Sequence, residues 1–120
     1  RQFRYAVGSE FIELPAGKLD PGESPLECAK RELEEEIGYK SNKIEFIANI
    51  HPAIGFTNEK MNLFLATDLV QTKQNKDADE FIDLIPANLE KALELVWSNK
   101  ITDVKTIIGI LWFQKICNND

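Results

Sequence analysis

The sequence predicts a single α/β domain of the α+β kind, in which helices pack on a mixed sheet. Segments with the alternation of strands and segments with helical periodicity both occur, and they follow one another without strict alternation. The length of 120 residues fits one domain, and no internal repeat or linker divides the chain. Hydrophobic residues at 43% and charged residues at 28% are ordinary proportions for a globular protein. We therefore assign residues 1–120 to one domain.

Five segments are predicted to be strands because they are rich in β-branched and aromatic residues and lie between turn-forming residues. The first two flank the turn at Gly8-Ser9, and a loop rich in glycine and proline follows the second. The five segments are residues 2–7, 10–14, 43–50, 60–69 and 80–85.

The signals for helices are stronger, because the residues that cap helices are recognisable in the sequence. Ser24 is a suitable N-cap, Pro25 suits the first helical position and Glu27 completes an S-x-x-E capping box. Gly38 then ends a helix over residues 25–37. Two further helices are predicted after the N-cap residues Asn88 and Asp103, over residues 89–99 and 104–116.

The overall charge argues against nucleic acid as a partner. The net charge is −6, and no basic stripe is present that would bind a phosphate backbone by counterion release. An anionic small molecule would need local positive charge, which Arg1, Arg4 and Lys18 supply in part and a bound cation would supply more fully. The longest apolar stretch near the end, residues 107–113, is too short to span a bilayer, so we expect no membrane partner.

The two cysteines, Cys28 and Cys117, form no metal-binding pattern. Two distant thiols in a short chain without a signal peptide are expected to stay reduced, which predicts a cytoplasmic protein. The chain starts at Arg1, already inside a predicted strand, and we expect further residues upstream in the natural protein.

The helix over residues 25–37 concentrates negative charge on one face. Leu26, Ala29, Leu33 and Ile37 fall on a common stripe that is predicted to face the core. Three carboxylates flank this stripe. Two of them, Glu32 and Glu36, lie four residues apart and repel each other unless a positive charge compensates. Arg31 lies four residues before one of them and is expected to steer it. The three carboxylates are Glu32, Glu35 and Glu36.

Two interpretations of this acidic face compete. Glutamate is a good helix former, so a run of glutamates alone is typical of a solvated surface. Here, however, the acidic face follows a Gly/Pro loop of defined length. In addition, no lysine within the helix lies four residues after Glu34, Glu35 or Glu36, and Lys40 lies beyond Gly38. Oxygen-only ligands suit Mg²⁺ or Mn²⁺. The hypothesis is that these glutamates hold divalent cations.

The spacing of these residues resembles the Nudix box, G-x5-E-x7-R-E-U-x-E-E-x-G-U, in which U is a bulky aliphatic residue. Gly17, Glu23 and the run from Arg31 to Gly38 match every fixed position, and Tyr39 is a mild departure at the last one. The resemblance implies the Nudix α/β/α sandwich. It also implies hydrolysis of a nucleoside diphosphate linked to another moiety, with Mg²⁺ or Mn²⁺.

The chain is similar over nearly its whole length to the ADP-ribose pyrophosphatase branch of that family. The segments that carry the similarity are RQFRYAVG, ELPAGKLD, HPAIGFTNEKMNLFLA, DADEFIDL and ITDVKTIIGILW, and Pro52 matches a proline that marks the branch. The resemblance implies cleavage of ADP-ribose to AMP and ribose 5-phosphate by a homodimer. The N-terminal segment with which the branch forms its dimer and part of its adenine site is not in this sequence.

The resemblance also implies roles for individual residues. The metal ligands would be Glu32 and Glu36, with Glu35 in support, and the main-chain carbonyl of Ala16. Glu23 would bind metal through water or orient Arg31, which is expected to be structural because an arginine between carboxylates fixes their geometry.

The general base is open between two places. Some Nudix enzymes use a residue of the box, here Glu35. In the ADP-ribose branch the base resembles a glutamate from a loop before a late strand. In this sequence that loop offers Asp77, Asp79 and Glu80, of which Glu80 is preferred and Asp79 is second. A solvated acidic loop is the competing interpretation.

Three residues are candidates for contacts to the substrate. Arg4, on the first strand, is implied as a ligand of the diphosphate, since a guanidinium binds phosphate in a bidentate manner; an exposed strand arginine is the alternative. Glu13 and Glu59 are candidates for contacts to hydroxyls or phosphates. His51 is expected to be an ordinary loop histidine. A core or interface role is predicted for Trp97, Trp112 and Phe113.

Other functions remain compatible with the sequence. The box specifies the diphosphate and not the appended group, so another nucleoside diphosphate sugar or a dinucleotide is an alternative substrate. A Nudix module that binds ADP-ribose without cleaving it is a second alternative, which the intact box disfavours. An acidic interaction scaffold would leave the spacing from Gly17 to Glu23 unexplained.

Overall fold

A computed structural model describes the backbone of residues 2–4 and both backbone and side chains of residues 9–72 and 83–119. The chain forms two compact units. We call Arg1–Leu14 with Phe81–Asp120 the terminal unit and Pro15–Glu80 the central unit. The elements in chain order are β1 (Gln2–Arg4), β2 (Ser9–Phe11), α1 (Pro25–Ile37), β3 (Tyr39–Ile50), β4 (Met61–Gln71), α2 (Leu89–Trp97) and α3 (Val104–Asn118).

In the central unit, α1 packs against an antiparallel pair of long strands. The register of β3 and β4 runs from Tyr39 opposite Gln71 to Ile50 opposite Met61. Both strands are longer than predicted, and β3 begins directly after the helix. The cause is Gly38, whose positive φ of 72° ends α1 and turns the chain at once into extended backbone. The N–H of Thr72 then donates to the carbonyl of Gly38 at 2.7 Å.

The predicted caps of α1 are confirmed. The Ser24 hydroxyl accepts the N–H of Glu27 at 3.2 Å, and the Glu27 carboxylate accepts the N–H of Ser24 at 3.5 Å. At the other end the N–H of Gly38 donates to the carbonyl of Glu34. The helix therefore begins and ends where local hydrogen bonding dictates.

The terminal unit holds β1, β2 and the last two helices. β1 pairs antiparallel with β2, with Gln2 opposite Phe11. The predicted N-caps Asn88 and Asp103 are confirmed, because each side chain accepts a backbone N–H three residues later. Buried Val96, Ile101 and Ile110 form the core of this unit. Partly buried residues pack against them, namely Ile12, Leu89, Ala92, Leu93, Leu95 and Ile107.

Three expectations from the sequence are corrected. Residues 83–85, the described part of the last predicted strand, are not in a strand. Leu26 is 39% exposed, and Cys28 at 6% is the buried residue of α1 instead. The loop before α1 returns along the Cys28 side of the helix, where the thiol contacts the carbonyl of Gly17, and this covers Cys28 rather than Leu26. Trp97, Trp112 and Phe113 are 69%, 40% and 37% exposed, so they are not core residues, and the alternative of an interface role stays a prediction.

Both strand pairings in the described ranges are antiparallel, and neither supplies the parallel neighbour of a mixed sheet. Among the same residues, no helix has both the length and the apolar character needed to cross a membrane.

Candidate active site and metal-binding residues

Arg31 lies at the centre of the acidic face of α1. Its Nε and one terminal nitrogen donate to the two carboxylate oxygens of Glu23 at 2.9 and 3.0 Å, a bidentate ion pair. The other terminal nitrogen donates to Glu32 at 2.8 Å and to Glu35 at 3.1 Å. A further bond to the carbonyl of Lys18, at 3.0 Å, ties the arginine to the preceding loop. One guanidinium thus fixes three carboxylates and the loop.

These contacts decide the charge of the cluster. The hydrogen bonds from Arg31, followed by that from the N–H of Asp20, lower the pKa of Glu23 from 4.5 to about 2. The same bond to Glu23 is the main reason why the pKa of Arg31 is raised above its usual range. The one guanidinium of Arg31 lies within ion-pair distance of four carboxyl groups, those of Asp20, Glu23, Glu32 and Glu35. Arg31 therefore offsets part of the repulsion among these carboxylates.

Two of the predicted metal ligands meet the loop backbone at neighbouring residues. The Glu36 carboxylate accepts the N–H of Ala16 at 3.0 Å. The Glu32 carboxylate lies so close to Gly17 that a Cβ built there would overlap it. The glycine is therefore needed for space at this position, because any larger residue would displace Glu32. Glu32 and Glu36, one helical turn apart, reach the same dipeptide.

This arrangement fits a divalent cation that keeps part of its coordination shell for other ligands. Within residues 9–72 and 83–119, no three His, Cys, Asp or Glu side chains converge as a complete cage. Mg²⁺ characteristically takes one or two carboxylates, with water and substrate phosphates completing its octahedron. Two carboxylates beside an exposed main-chain dipeptide supply that kind of donor set, with the carbonyl of Ala16 as the predicted main-chain ligand.

The other predicted site residues fall in three groups. Glu13 is bonded to Lys105 at 2.8 Å, and its side chain is 9% exposed. Glu59 is exposed, and its N–H donates to the hydroxyl of Thr57. The side chain of Arg4 and the base candidates Asp77, Asp79 and Glu80 lie outside the described residues. The catalytic and substrate-binding assignments therefore stay predictions.

The sequence did not reveal several groups that complete the cluster. Asp20 lies 3.3 Å from Nε of Arg31, and its N–H bonds Glu23 at 3.0 Å. The Cys28 thiol contacts both Gly17 and Arg31. The only sequence signal for the contact of Cys28 with Arg31 was their spacing of three residues, which places both on one helical face.

The pairing of Lys105 with Glu13 is a contact elsewhere in the fold. The two residues are 92 positions apart, so local sequence gives no indication of it.

Comparison with known proteins identifies related chains over almost the whole length. Residues 1–103 match the NUDIX domain. The ADP-ribose pyrophosphatase of Bacillus subtilis (strain 168) is 40% identical over 116 residues, which cover 95% of this chain and 63% of that protein. The GDP-mannose pyrophosphatase of Cronobacter sakazakii (strain ATCC BAA-894) is 32% identical over 117 residues, covering 90% of this chain and 61% of that protein. The chain thus spans a little under two thirds of the length of these relatives.

A solved structure has the same fold. The crystal structure of an ADP compounds hydrolase superposes with a TM-score of 0.89 at 24% sequence identity, covering 99% of this chain and 64% of that one. The predicted α/β fold class is confirmed by this likeness.

Proposed function

The chain belongs to the Nudix family, and from that premise we propose that it hydrolyses the pyrophosphate bond of ADP-ribose with Mg²⁺ or Mn²⁺, giving AMP and ribose 5-phosphate. The observation that carries the proposal is the approach of Glu32 and Glu36 to the Ala16-Gly17 backbone. Two carboxylates at a main-chain dipeptide are suited to hold a cation against diphosphate oxygens. The likeness to ADP-ribose pyrophosphatase over 95% of this chain supports the substrate.

Each residue of the cluster then has a distinct task. Glu32 and Glu36 hold the metal, and Glu23 fixes Arg31, which in turn orients Glu32 and Glu35. A divalent ion held there would neutralise developing phosphate charge and lower the pKa of the attacking water. The water oxygen bonds to one phosphorus, the bridging phosphorus–oxygen bond breaks, and a base takes the water proton. Glu35, Glu80 and Asp79 remain the candidates for that base.

A second substrate has a specific observation in its favour. The GDP-mannose pyrophosphatase relative is 32% identical to this chain, and both relatives contain more residues than this chain covers. The acidic cluster would bind the diphosphate through a metal ion, and the diphosphate is the part that ADP-ribose and GDP-mannose share. A nucleoside diphosphate sugar is therefore the alternative substrate.

The test is hydrolysis of ADP-ribose and of GDP-mannose in parallel, in Mg²⁺, in Mn²⁺ and in excess EDTA, with products separated by chromatography. The expected result is AMP and ribose 5-phosphate from ADP-ribose, metal-dependent and abolished by EDTA. Faster cleavage of GDP-mannose would select the alternative. Tight ADP-ribose binding without turnover, by folded and metal-loaded protein, would contradict hydrolysis and select a binding module.

The family resemblance also favours a homodimer in the cytoplasm. Both remain proposals for this chain. Light scattering of the purified protein at two concentrations tests the first, and a monomer at both would contradict it.

A further inference from the structure

Lys18 directly follows the dipeptide at which the candidate metal ligands meet the loop. The Glu36 carboxylate accepts the N–H of Ala16, and the Glu32 carboxylate lies against Gly17. Neighbouring Cα atoms are about 3.8 Å apart, so the backbone of Lys18 lies one residue from the Glu32 carboxylate. The function proposed above assigns no task to this lysine.

The main chain of Lys18 is held by the arginine that orders the acidic face of α1. A terminal nitrogen of Arg31 donates to the Lys18 carbonyl at 3.0 Å, and the same nitrogen donates to Glu23 at 3.0 Å. Every amino acid has this carbonyl, so the hydrogen bond remains available when the side chain of Lys18 is replaced. The position of the residue is therefore fixed independently of its ammonium group.

The side chain of Lys18 is exposed and has no protein partner in the described part of the chain. Within residues 9–72 and 83–119, its ammonium forms neither a hydrogen bond nor an ion pair. The neighbouring carboxylates are bonded by Arg31 instead, at distances from 2.8 to 3.3 Å. The planar guanidinium fits carboxylates better than the point charge of a lysine does. The ammonium of Lys18 is thus available for an anionic ligand.

The chemistry of a bound diphosphate requires such a group. The acidic face of α1 repels a diphosphate, and a positive charge close to it adds attraction. Lysine carries its charge at the end of a flexible four-carbon stem, which is long enough to reach a phosphate held beside Gly17.

We propose that Lys18 is a substrate-binding residue whose ammonium contacts a phosphate oxygen of the diphosphate. This inference rests on the proposed function, because it requires a diphosphate bound through a metal at Glu32 and Glu36. The ligand class is the nucleoside diphosphates in general, since an ammonium acts on phosphate as a point charge and recognises neither base nor sugar. The contact is made in the ground state and in the transition state alike, so its loss raises KM more than it lowers kcat.

The experiment measures the binding of α,β-methylene-ADP-ribose, in which a methylene group replaces the bridging oxygen and prevents cleavage. Isothermal titration calorimetry in Mg²⁺ compares the 120-residue chain with its variants. Lys18→Gln removes the charge, and we expect about ten-fold weaker binding, as for the loss of one hydrogen bond to a charged group. Lys18→Arg keeps the charge and should bind within about three-fold of the parent. Added NaCl should weaken binding to the parent more steeply than binding to Lys18→Gln.

Lys30→Gln is the matched control. It removes the same charge from an exposed position of α1. At about 100° per residue, Lys30 lies roughly 160° around the helix from Glu32. Its affinity for α,β-methylene-ADP-ribose should therefore match that of the parent.

Binding of Mn²⁺ alone separates contact with the anion from support of the loop. The electron paramagnetic resonance signal of the free ion gives the affinity. Lys18→Gln should bind Mn²⁺ as tightly as the parent or more tightly, because a positive charge near the ion is removed. A side chain that merely supports the loop would, when replaced, weaken Mn²⁺ binding. In steady-state cleavage of ADP-ribose, Lys18→Gln should raise KM by about ten-fold and keep kcat within about two-fold.

Equal affinity for α,β-methylene-ADP-ribose in the parent and in Lys18→Gln would overturn the assignment of Lys18 and leave the proposed hydrolysis intact. Joint loss of Mn²⁺ and analogue binding in Lys18→Gln would also overturn it, in favour of a structural role. A folded parent chain that binds no analogue in Mg²⁺ and cleaves no nucleoside diphosphate would instead overturn the proposed function, and the role of Lys18 with it.

Discussion

At the scale of single residues, the sharing of one guanidinium among several carboxylates governs the chemistry of α1. Arg31 bonds Glu23, Glu32 and Glu35, whereas Glu36 is bonded by the N–H of Ala16. Glu36 thus joins the acidic face of α1 to the loop, at the dipeptide where it is a predicted metal ligand.

Replacing Glu36 by glutamine tests this directly. The amide oxygen can still accept the N–H of Ala16, so the fold should survive, but the negative charge is lost. We expect turnover of ADP-ribose to fall by roughly a hundred-fold or more, the scale on which one electrostatic contact to a transition state acts. Steady-state kinetics and circular dichroism measure the two quantities.

Glu34→Gln is the matched control, because it removes the same charge from the same helix at a position that is not a candidate ligand. Its turnover should stay within a few-fold of the parent. Near-normal activity of Glu36→Gln would remove this residue from the metal site.

The Glu23–Arg31 pair predicts a pH dependence of stability. The pKa of Glu23 is lowered to about 2 in the folded chain from 4.5, so its contribution is fully present above about pH 4.5. It is lost as the pH falls through 4.5 towards 2. In urea unfolding, the stability difference between parent and Glu23→Gln should be constant from pH 7 to 5 and shrink at pH 4 and 3. A difference that does not change with pH would show that the carboxylate is not held in its charged form.

Part of this cluster follows from the sequence and part does not. The contact of Arg31 with Glu35 was predictable, since residues four apart on a helix are neighbours. The bidentate bond of Arg31 to Glu23 agrees with one of the two roles left open for Glu23, and its geometry depends on the path of the loop. The pairing of Glu13 with Lys105 was not predictable, because only the tertiary fold brings them together.

At the scale of elements, the starts of all three helices were predicted, whereas most strand ends were not. The two later helices end at Trp97 and Asn118, two residues before and two residues after the expected positions. Ser24, Asn88 and Asp103 cap their helices as expected, because a cap is decided by side chains within three residues of it. The extent of β3 and β4 is decided by pairing between distant segments, so both exceed their apolar runs. Hydrogen bonds between residues close in sequence can be predicted from the sequence, whereas the pairing of distant strands is much harder to predict.

The capping box of α1 provides a test at this scale. Ser24→Ala removes the hydroxyl that accepts the Glu27 N–H and should lower the free energy of unfolding by about 1 kcal/mol. Ser24→Thr retains the hydroxyl and should lie close to the parent. Urea denaturation compares the three chains. Equal stability of Ser24→Ala and the parent would mean that the cap contributes nothing to the folded state.

The close approach of the loop at Gly17 to α1 provides a second test at this scale. A methyl group at Gly17 would overlap the Glu32 carboxylate, so Gly17→Ala should displace it and weaken Mn²⁺ binding by about ten-fold. Gly55→Ala is the control, since a Cβ there meets no atom within 4 Å. Equal binding by both variants would show that Glu32 moves aside without consequence for the metal.

At the scale of the whole molecule, metal binding and folding are linked. A ligand that binds only the folded chain adds about 2.7 kcal/mol of stability at a hundred times its dissociation constant. We expect added Mg²⁺ to raise the melting temperature of the parent, and to raise that of Glu36→Gln much less. Calorimetry in Mg²⁺, and in NaCl of matched ionic strength, separates specific binding from screening of the net charge of −6. An equal rise in parent and variant would contradict binding at Glu36.

The difference between the two cysteines has a practical consequence. Cys28 is buried, and burial, followed by the nearby charge of Glu23, raises the pKa of its thiol, whereas Cys117 near the end of α3 is exposed. Because a thiol reacts as its thiolate, a maleimide dye should attach to Cys117 and spare Cys28. The native protein then carries its own handle for single-site fluorescent labelling. Mass spectrometry should find one adduct per native chain and two after denaturation.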